Sequence, residues 1–286
     1  MSALDKPSTL VSVIVVTHNR LEALKKTINS ILSSSYENLE VIVIDDFSND
    51  GTYEYLLSHY PSITVVRTPR EVLPALSREI GYRLSKGEYL MFIDDDCILL
   101  KDTIGELVRL VSSDPSIGVV GPAIYDLHGR LQCLGGRALP FFRWLKKKAA
   151  KCKVLDCDFY PSTAMMVKRS ALRAVGGWDY KDFPFHAEEV DLCLRIKRAG
   201  YRVVGYARAG AIHMSRGYVK VNNVTRAYYA ARSRVKFFKK HYCKAFPLYL
   251  ITINLAITLF YALLFLIEGK TAFLSAYIKG LADGIR

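Results

Sequence analysis

The first third of the chain alternates between two hydrophobic rhythms. Residues 10–17 (LVSVIVVT) form a nearly unbroken β-branched run, the pattern of a strand buried on both faces. Asn19 then reads as a cap, and apolar positions recur at helical spacing over 21–32, which predicts an amphipathic helix. Strand signals return at 39–44, 63–66 and 88–93, separated by helical stretches at 51–60 and 72–84. This order predicts an α/β fold, a Rossmann-like, mostly parallel sheet flanked by helices.

Residues 118–167 are less regular and hold a basic-aromatic stretch, FFRWLKKK at 141–148. Ser170 reads as the cap of a short helix that stops at Gly176-Gly177. A second helix is expected from about Glu188 to Gly200, then a strand over 202–206. The segment 247–267, PLYLITINLAITLFYALLFLI, has no charged residue. A helix of roughly 20 residues spans about 30 Å, the hydrocarbon core of a bilayer. The expectation is a transmembrane or membrane-embedded helix at 247–267, with 271–282, too short to span again, along the interface. Lys236, Lys239, Lys240 and Lys244 precede the segment and Lys270 follows it. By the positive-inside rule the large domain then faces the cytoplasm.

Charge and cysteines refine this picture. A net charge of +13 calls for an anionic partner: nucleic acid, a phosphorylated ligand or an acidic lipid surface. No nucleic-acid reader motif is present, so nucleic acid is set aside. The amphipathic basic segment 139–151 suits an anionic membrane surface instead. The six cysteines show no CxxC. Only Cys152 and Cys157 are spaced to share a zinc ion, and scattered thiols fit a reducing compartment. The N-terminal residues show no basic-then-apolar secretory signal.

The chemistry sits at the strand ends, where ligands bind in open α/β sheets. Asp94-Asp95-Asp96 closes the 88–93 strand, and Asp45-Asp46 closes the 39–44 strand. On extended backbone, Asp94 and Asp96 would point one way and Asp95 the other. Adjacent carboxylates repel unless cations compensate, and a hard divalent cation is the natural partner. The structural alternative is a solvated acidic loop. Asp46 is suited to accept hydrogen bonds from a nucleobase or ribose, whereas turn chemistry accounts for Ser48 to Gly51. Glu188 and Glu189 open a helix, where the dipole favours a carboxylate. Asp191 and Arg195, four apart, are spaced for an intrahelical ion pair. His213, after a strand, reads on its own as a structural histidine.

Taken together and in order, these segments resemble family 2 of the glycosyltransferases, with the GT-A fold. The matching motifs are VSVIVVTHNR at 11–20, IDD with Ser48 and DGT at 44–52, FIDDD at 92–96, GGWD at 176–179, EEVDL at 188–192 and AGYR at 199–202. The likeness covers about residues 9–240. It implies an inverting transfer of a hexose, such as mannose or glucose, from a nucleotide-diphosphate sugar to a membrane-proximal or lipid-linked acceptor. Thr17 and Asp46 would contact the base, in a donor site with Asn19 and Arg20. Arg78 would lie near the diphosphate, and Asp94 or Asp95 near the ribose or sugar. Asp96 and His213, with Asp94, would hold Mn or Mg. Glu189 would be the catalytic base with Glu188 as the alternative, while Trp178, Asp179 and Asp191 would lie on the acceptor side. Residues 1–240 would form the catalytic domain, 9–96 binding the nucleotide and 97–240 serving the acceptor, and 241–286 would attach to the membrane.

Two departures from the family pattern stand out. Glu189 replaces the usual aspartate, and Ser77-Arg78-Glu79 stands where Arg-Asn is common, so Glu79 is expected to alter donor contacts. A rival, sugar-phosphate nucleotidylyltransfer, wants an N-terminal glycine-rich loop, and residues 11–20 contain no glycine. A catalytically inactive membrane-bound binding module is disfavoured by the retained acidic clusters and His213.

Overall fold

The structure, a computed structural model, describes residues 9–138, 143–144, 153–214, 224–249, 252 and 254–286. The first elements are β1 (Val11–Thr17), α1 (Leu21–Leu32), β2 (Leu39–Asp45), α2 (Thr52–His59), β3 (Thr64–Arg67), α3 (Pro74–Leu84) and β4 (Tyr89–Asp94). Then come β5 (Cys97–Leu99), α4 (Thr103–Ser113), β6 (Ile117–Tyr125), β7 (Leu131–Cys133), β8 (Gly136–Arg137), β9 (Arg143–Trp144), β10 (Val154–Asp156) and β11 (Ala164–Lys168). The chain ends with α5 (Arg169–Ala174), α6 (Glu188–Arg198), β12 (Arg202–His213), α7 (Val224–His241), α8 (Phe246–Tyr249), α9 (Leu255–Ile267) and α10 (Thr271–Ile285).

Two compact units emerge, one of Met1–Trp178 with Leu192–Arg216, the other of Asp179–Asp191 with Gly217–Arg286. The first is built on a ten-stranded sheet, ordered β10-β12-β6-β11-β4-β1-β2-β3 with β5 and β7 at the side. The central strand β1 pairs in parallel with β2 and β4, and Val11, Val13, Ile14 and Val15 are fully buried. Burial on both faces explains why this run shows no polar alternation. The parallel register sets Thr17 beside Asp45 and Val16 beside Asp94. Both acidic clusters therefore emerge at one edge of the sheet.

Beyond β4 the sheet becomes mixed, a correction to the mostly parallel expectation. β11 runs antiparallel to both β4 and β6. A parallel neighbour would need a crossover, usually helical, whereas β11 is reached through the short strands β7 to β10. Two cap assignments also change. Arg20, not Asn19, occupies the α1 N-cap, while Asn19 takes a left-handed conformation and its Oδ1 accepts the Asn49 amide. Ser170 lies inside α5, whose cap is Lys168.

The second unit corrects the membrane-helix expectation. Of the stretch 247–267, α8 reaches Tyr249 and α9 begins at Leu255. With 13 residues α9 is about 20 Å long, short of a bilayer core. No helix among the described residues is long and apolar enough to cross a membrane. Asn254 is buried and accepts a hydrogen bond from Arg234 of α7 at 3.0 Å. Arg234 also donates to the Tyr249 and Tyr277 hydroxyls. The polar position in the apolar run thus docks it onto α7. Thr252 and Thr258 bond back to the carbonyls of Leu248 and Asn254.

The segment expected along the interface is α10, which packs against α7 through glycine. A Cβ on Gly280 would stand 2.2 Å from the Tyr228 carbonyl oxygen. The basic segment 139–151 lies outside the described residues except for β9, as does Cys152 of the suggested zinc pair; Cys157 is buried. Gly280→Ala should force α10 off α7 and cost about 1–3 kcal/mol, the usual toll of overpacking. Urea unfolding measures this, and an unchanged midpoint would contradict the glycine contact.

Candidate active site

The strand end of β4 carries three consecutive carboxylates, Asp94, Asp95 and Asp96. Extended backbone stops at Asp94, and Asp95-Asp96 form a turn, so strict alternation does not hold. Asp94 accepts from Arg78 Nη2 at 2.9 Å. Asp95 accepts from Thr17 Oγ1 at 2.8 Å and Arg20 Nη1 at 3.2 Å. Asp96 accepts from the same Arg20 nitrogen at 2.7 Å and faces His213 Nε2 at 3.3 Å. One arginine thus bridges two carboxylates expected on opposite faces.

The electrostatics separate these neighbours. Burial pushes Asp95 up to about 6 against the pull of Arg20, with Asp96 and Asp94 adding to the rise. Burial also works against Asp96, but His213 and Arg20 outweigh it and hold its pKa at about 2. His213 is raised despite its burial, because Asp96 lies beside it. Asp96 is therefore an anion throughout the physiological range. His213 is fixed at the end of β12 by pairing with β5, and Gln132 Oε1 lies 3.4 Å from its Nδ1. Gln132 was not signalled by any motif.

The ends of β1 and β2 are organised around Asp46. Its carboxylate accepts the amides of Val72 and Leu73 at 2.8 and 2.9 Å and the Thr68 hydroxyl at 3.1 Å. Burial raises its pKa in spite of these bonds. Asp46 thereby shapes the turn into α3, where Leu73 has a φ of 72°. On the β1 side, the Asn19 amide donates to Ser48 Oγ at 2.9 Å, and Asp50 accepts the Leu21 amide at 3.2 Å. An open cleft of about 550 Å³ is lined by Asn19, Arg20, Asp50, Asp96 and Met214.

Glu79, expected to alter donor contacts, has a structural role in view. It is buried and accepts the Trp178 amide at 3.0 Å and Arg83 Nε at 2.8 Å. A Cβ on Gly177 would come 2.5 Å from Glu79 Oε2, so glycine is required there. The clamp holds the Trp178 ring edge-on to Phe92 and beneath the Arg78 guanidinium, 5.4 Å from the ring centroid. The Trp178 Nε1 is buried without a hydrogen-bond partner among the described residues. Arg195 donates to the carbonyls of Val175 and Gly177 and fixes the same turn.

In the second unit, Asp191 is fully buried, and its Oδ1 lies 2.8 Å from both Lys240 Nζ and His241 Nε2. Lys240 also reaches Asp179 at 2.7 Å. Neither Lys240 nor His241 carries a local sequence signal, since they lie some fifty residues beyond Asp191. Glu188 is buried and Glu189 half-buried at the start of α6. The two residues before them, His186 and Ala187, both have left-handed backbones.

Among the described residues no three His, Cys, Asp or Glu side chains converge as a ready-made metal cage. The pair Asp96 and His213 nonetheless supplies one hard oxygen and one imidazole donor, with Asp96 lining the cleft. That donor set fits a divalent cation completing its shell with ligand oxygens.

A mixed sheet with its acidic strand ends gathered at one edge is the GT-A architecture. The chain belongs to glycosyl transferase family 2, whose profile matches residues 12–176, more than half its length. It is 30% identical over 169 residues to the poly(ribitol-phosphate) beta-N-acetylglucosaminyltransferase TarP of Staphylococcus aureus, covering 57% of this chain and 50% of that protein. It is 27% identical to the pre-mycofactocin glycosyltransferase of Mycobacterium tuberculosis, covering 68% of this chain and 40% of that one. The chain spans half or less of the length of these curated relatives. Its fold is shared with the mannosyltransferase PcManGT from Pyrobaculum calidifontis, solved in complex with GDP-Man and Mn2+. The TM-score is 0.61, with 18% identity over 96% of this chain and 86% of that one.

The Asp46 network makes a stability prediction. Asp46→Ala strands two backbone amides and should cost about 3 kcal/mol, since hydrogen bonds to a charged group contribute roughly 1.5–3 kcal/mol each but are not additive. Chemical denaturation reads it out. A loss below about 1 kcal/mol would mean water replaces the carboxylate without penalty.

Proposed function

We propose that this chain is an inverting, metal-dependent hexosyltransferase. It moves a hexose such as mannose or glucose from a nucleotide-diphosphate sugar onto the hydroxyl of a membrane-proximal or lipid-linked acceptor. The observation that carries the reading is the Asp94-Asp95-Asp96 turn, tied to Arg20, Arg78 and His213 at a sheet edge with an open cleft. The complex of PcManGT with GDP-Man and Mn2+ supports the donor class and the cation.

A divalent cation, Mn or Mg, held by Asp96 and His213 with Asp94 as a further candidate, would neutralise the diphosphate leaving group. The chain's own residues do the rest. Thr17 and Asp46, with Asn19, border the place assigned to the nucleoside. Arg20 and Arg78 bring positive charge to the strand end, where a diphosphate gains most from it. Asp95 is tied to Thr17 and Arg20 and orients the arginine.

Glu189 is assigned as the general base. It takes the acceptor hydroxyl proton as that oxygen bonds to the anomeric carbon. The carbon–oxygen bond to the diphosphate breaks, and its electron pair leaves with the phosphate. Glu189 is half-buried while Glu188 is buried, which favours Glu189 for meeting an acceptor. The left-handed His186-Ala187 pair just before them costs roughly 1–3 kcal/mol per residue, and such strain clusters at functional sites.

Two variants test the assignment with a panel of nucleotide sugars and a lipid-linked sugar acceptor that carries free hydroxyls. Asp96→Ala should fold normally and lose metal-stimulated transfer; full activity of the folded variant, or of the wild type in EDTA, contradicts the metal assignment. Glu189→Gln should lower turnover about 10²–10⁴-fold, the usual range for a lost general base, with donor affinity little changed. Should Glu188→Gln be the inactive variant instead, the base is Glu188.

A further inference from the structure

We propose that the outward face of α9 is a membrane-binding surface that lies in the plane of an anionic bilayer. Leu255, Leu259, Leu263 and Leu266 recur at helical spacing with 50–61% of their surface exposed, and Phe260 and Ile267 extend the stripe at 63% and 75%. At about 100° per residue these six side chains cover one arc of roughly 140°. The opposite side is occupied: Phe265 is buried in a cluster with Ala231 and Tyr277, and Tyr261 packs against it. Single exposed leucines are ordinary on a monomer, but a continuous stripe of six large apolar residues marks a binding surface.

Charge selects the occupant. From 224 to 286 the chain carries ten Lys and Arg against only Glu268 and Asp283. Lys244 stands exposed before α9, and Lys270 follows it. A second copy of the chain would bring the same positive charge to the contact. The stripe offers no charged or polar side chain with which to orient a protein partner. A bilayer with anionic head groups satisfies both features, apolar contact for the leucines and negative charge for the lysines. The burial of its other side then dictates orientation. With Phe265 and Tyr261 packed against Ala231 and Tyr277, α9 offers lipid one face only, so it lies along the interface. This inference is independent of the transferase reading.

Co-sedimentation of the full chain with vesicles tests it, using phosphatidylcholine alone and phosphatidylcholine with phosphatidylglycerol. The wild type should bind the mixed vesicles more tightly than the neutral ones. Leu259→Gln with Leu263→Gln should weaken binding at least about tenfold, because each leucine withdrawn from the interface forfeits a large apolar transfer term. Their melting temperature and their affinity for UDP and GDP should be unchanged, which separates this surface from the sugar-nucleotide site. Lys244→Glu with Lys270→Glu should abolish the preference for anionic vesicles. The proposal is overturned if the wild type binds neither vesicle, or if the double leucine variant sediments like the wild type. It is equally overturned if a wild-type dimer in vesicle-free buffer becomes monomeric in that variant, which would assign the stripe to a second copy.

Discussion

Three consecutive carboxylates at the end of a buried strand repel one another, and the first unit is arranged to offset that repulsion. Arg78 from α3 meets Asp94, Arg20 from the turn after β1 bridges Asp95 and Asp96, and His213 from the end of β12 meets Asp96. The acidic turn therefore pins elements distant in sequence to one sheet edge. The same fields split the pKa values, Asp95 near 6 and Asp96 near 2. Neighbouring carboxylates of one turn thus have different chemistry, Asp96 a permanent anion and Asp95 an arginine anchor.

Strain follows the same geography. β1 pairs with β2 and β4 in unbroken register, whereas Asn19, Phe47 and Leu73 take positive φ in the loops that leave β1, leave β2 and enter α3. Hydrogen bonds hold these conformations: Asn19 is tied to Ser48 and Asn49, and Leu73 to Asp46. In the second unit His186 and Ala187 repeat the pattern before α6. Unfavourable backbone is stored where ligands are expected to bind and where surrounding bonds over-determine it.

Much of this was legible in the chain. Strands β1, β2 and β4 were visible because burial on both faces leaves long β-branched runs, and both acidic clusters follow directly from where those runs end. The motif order also identified the family. What was not legible depended on distant partners. β11 sits between β4 and β6, and nothing in its five residues reveals an antiparallel insertion. Alternation misplaced Asp95 because the strand stops one residue earlier. Asp191 finds Lys240 and His241 across a long stretch of chain. The uncharged run at 247–267 fits a bilayer or a docked helix equally by hydropathy, which does not reveal the Asn254–Arg234 bond that ties it to α7. Long apolar segments report what avoids water, not what covers them.

The central claim is that the acidic turn with His213 is a nucleotide-diphosphate site completed by a divalent cation. Calorimetric titration of the chain with UDP and with GDP, each with and without Mn2+, tests it most directly. The account predicts that at least one nucleotide binds and that Mn2+ tightens it by about tenfold or more, since the cation offsets charge on both the carboxylates and the diphosphate. Equal affinity with and without the metal, or no binding of either nucleotide, would contradict it.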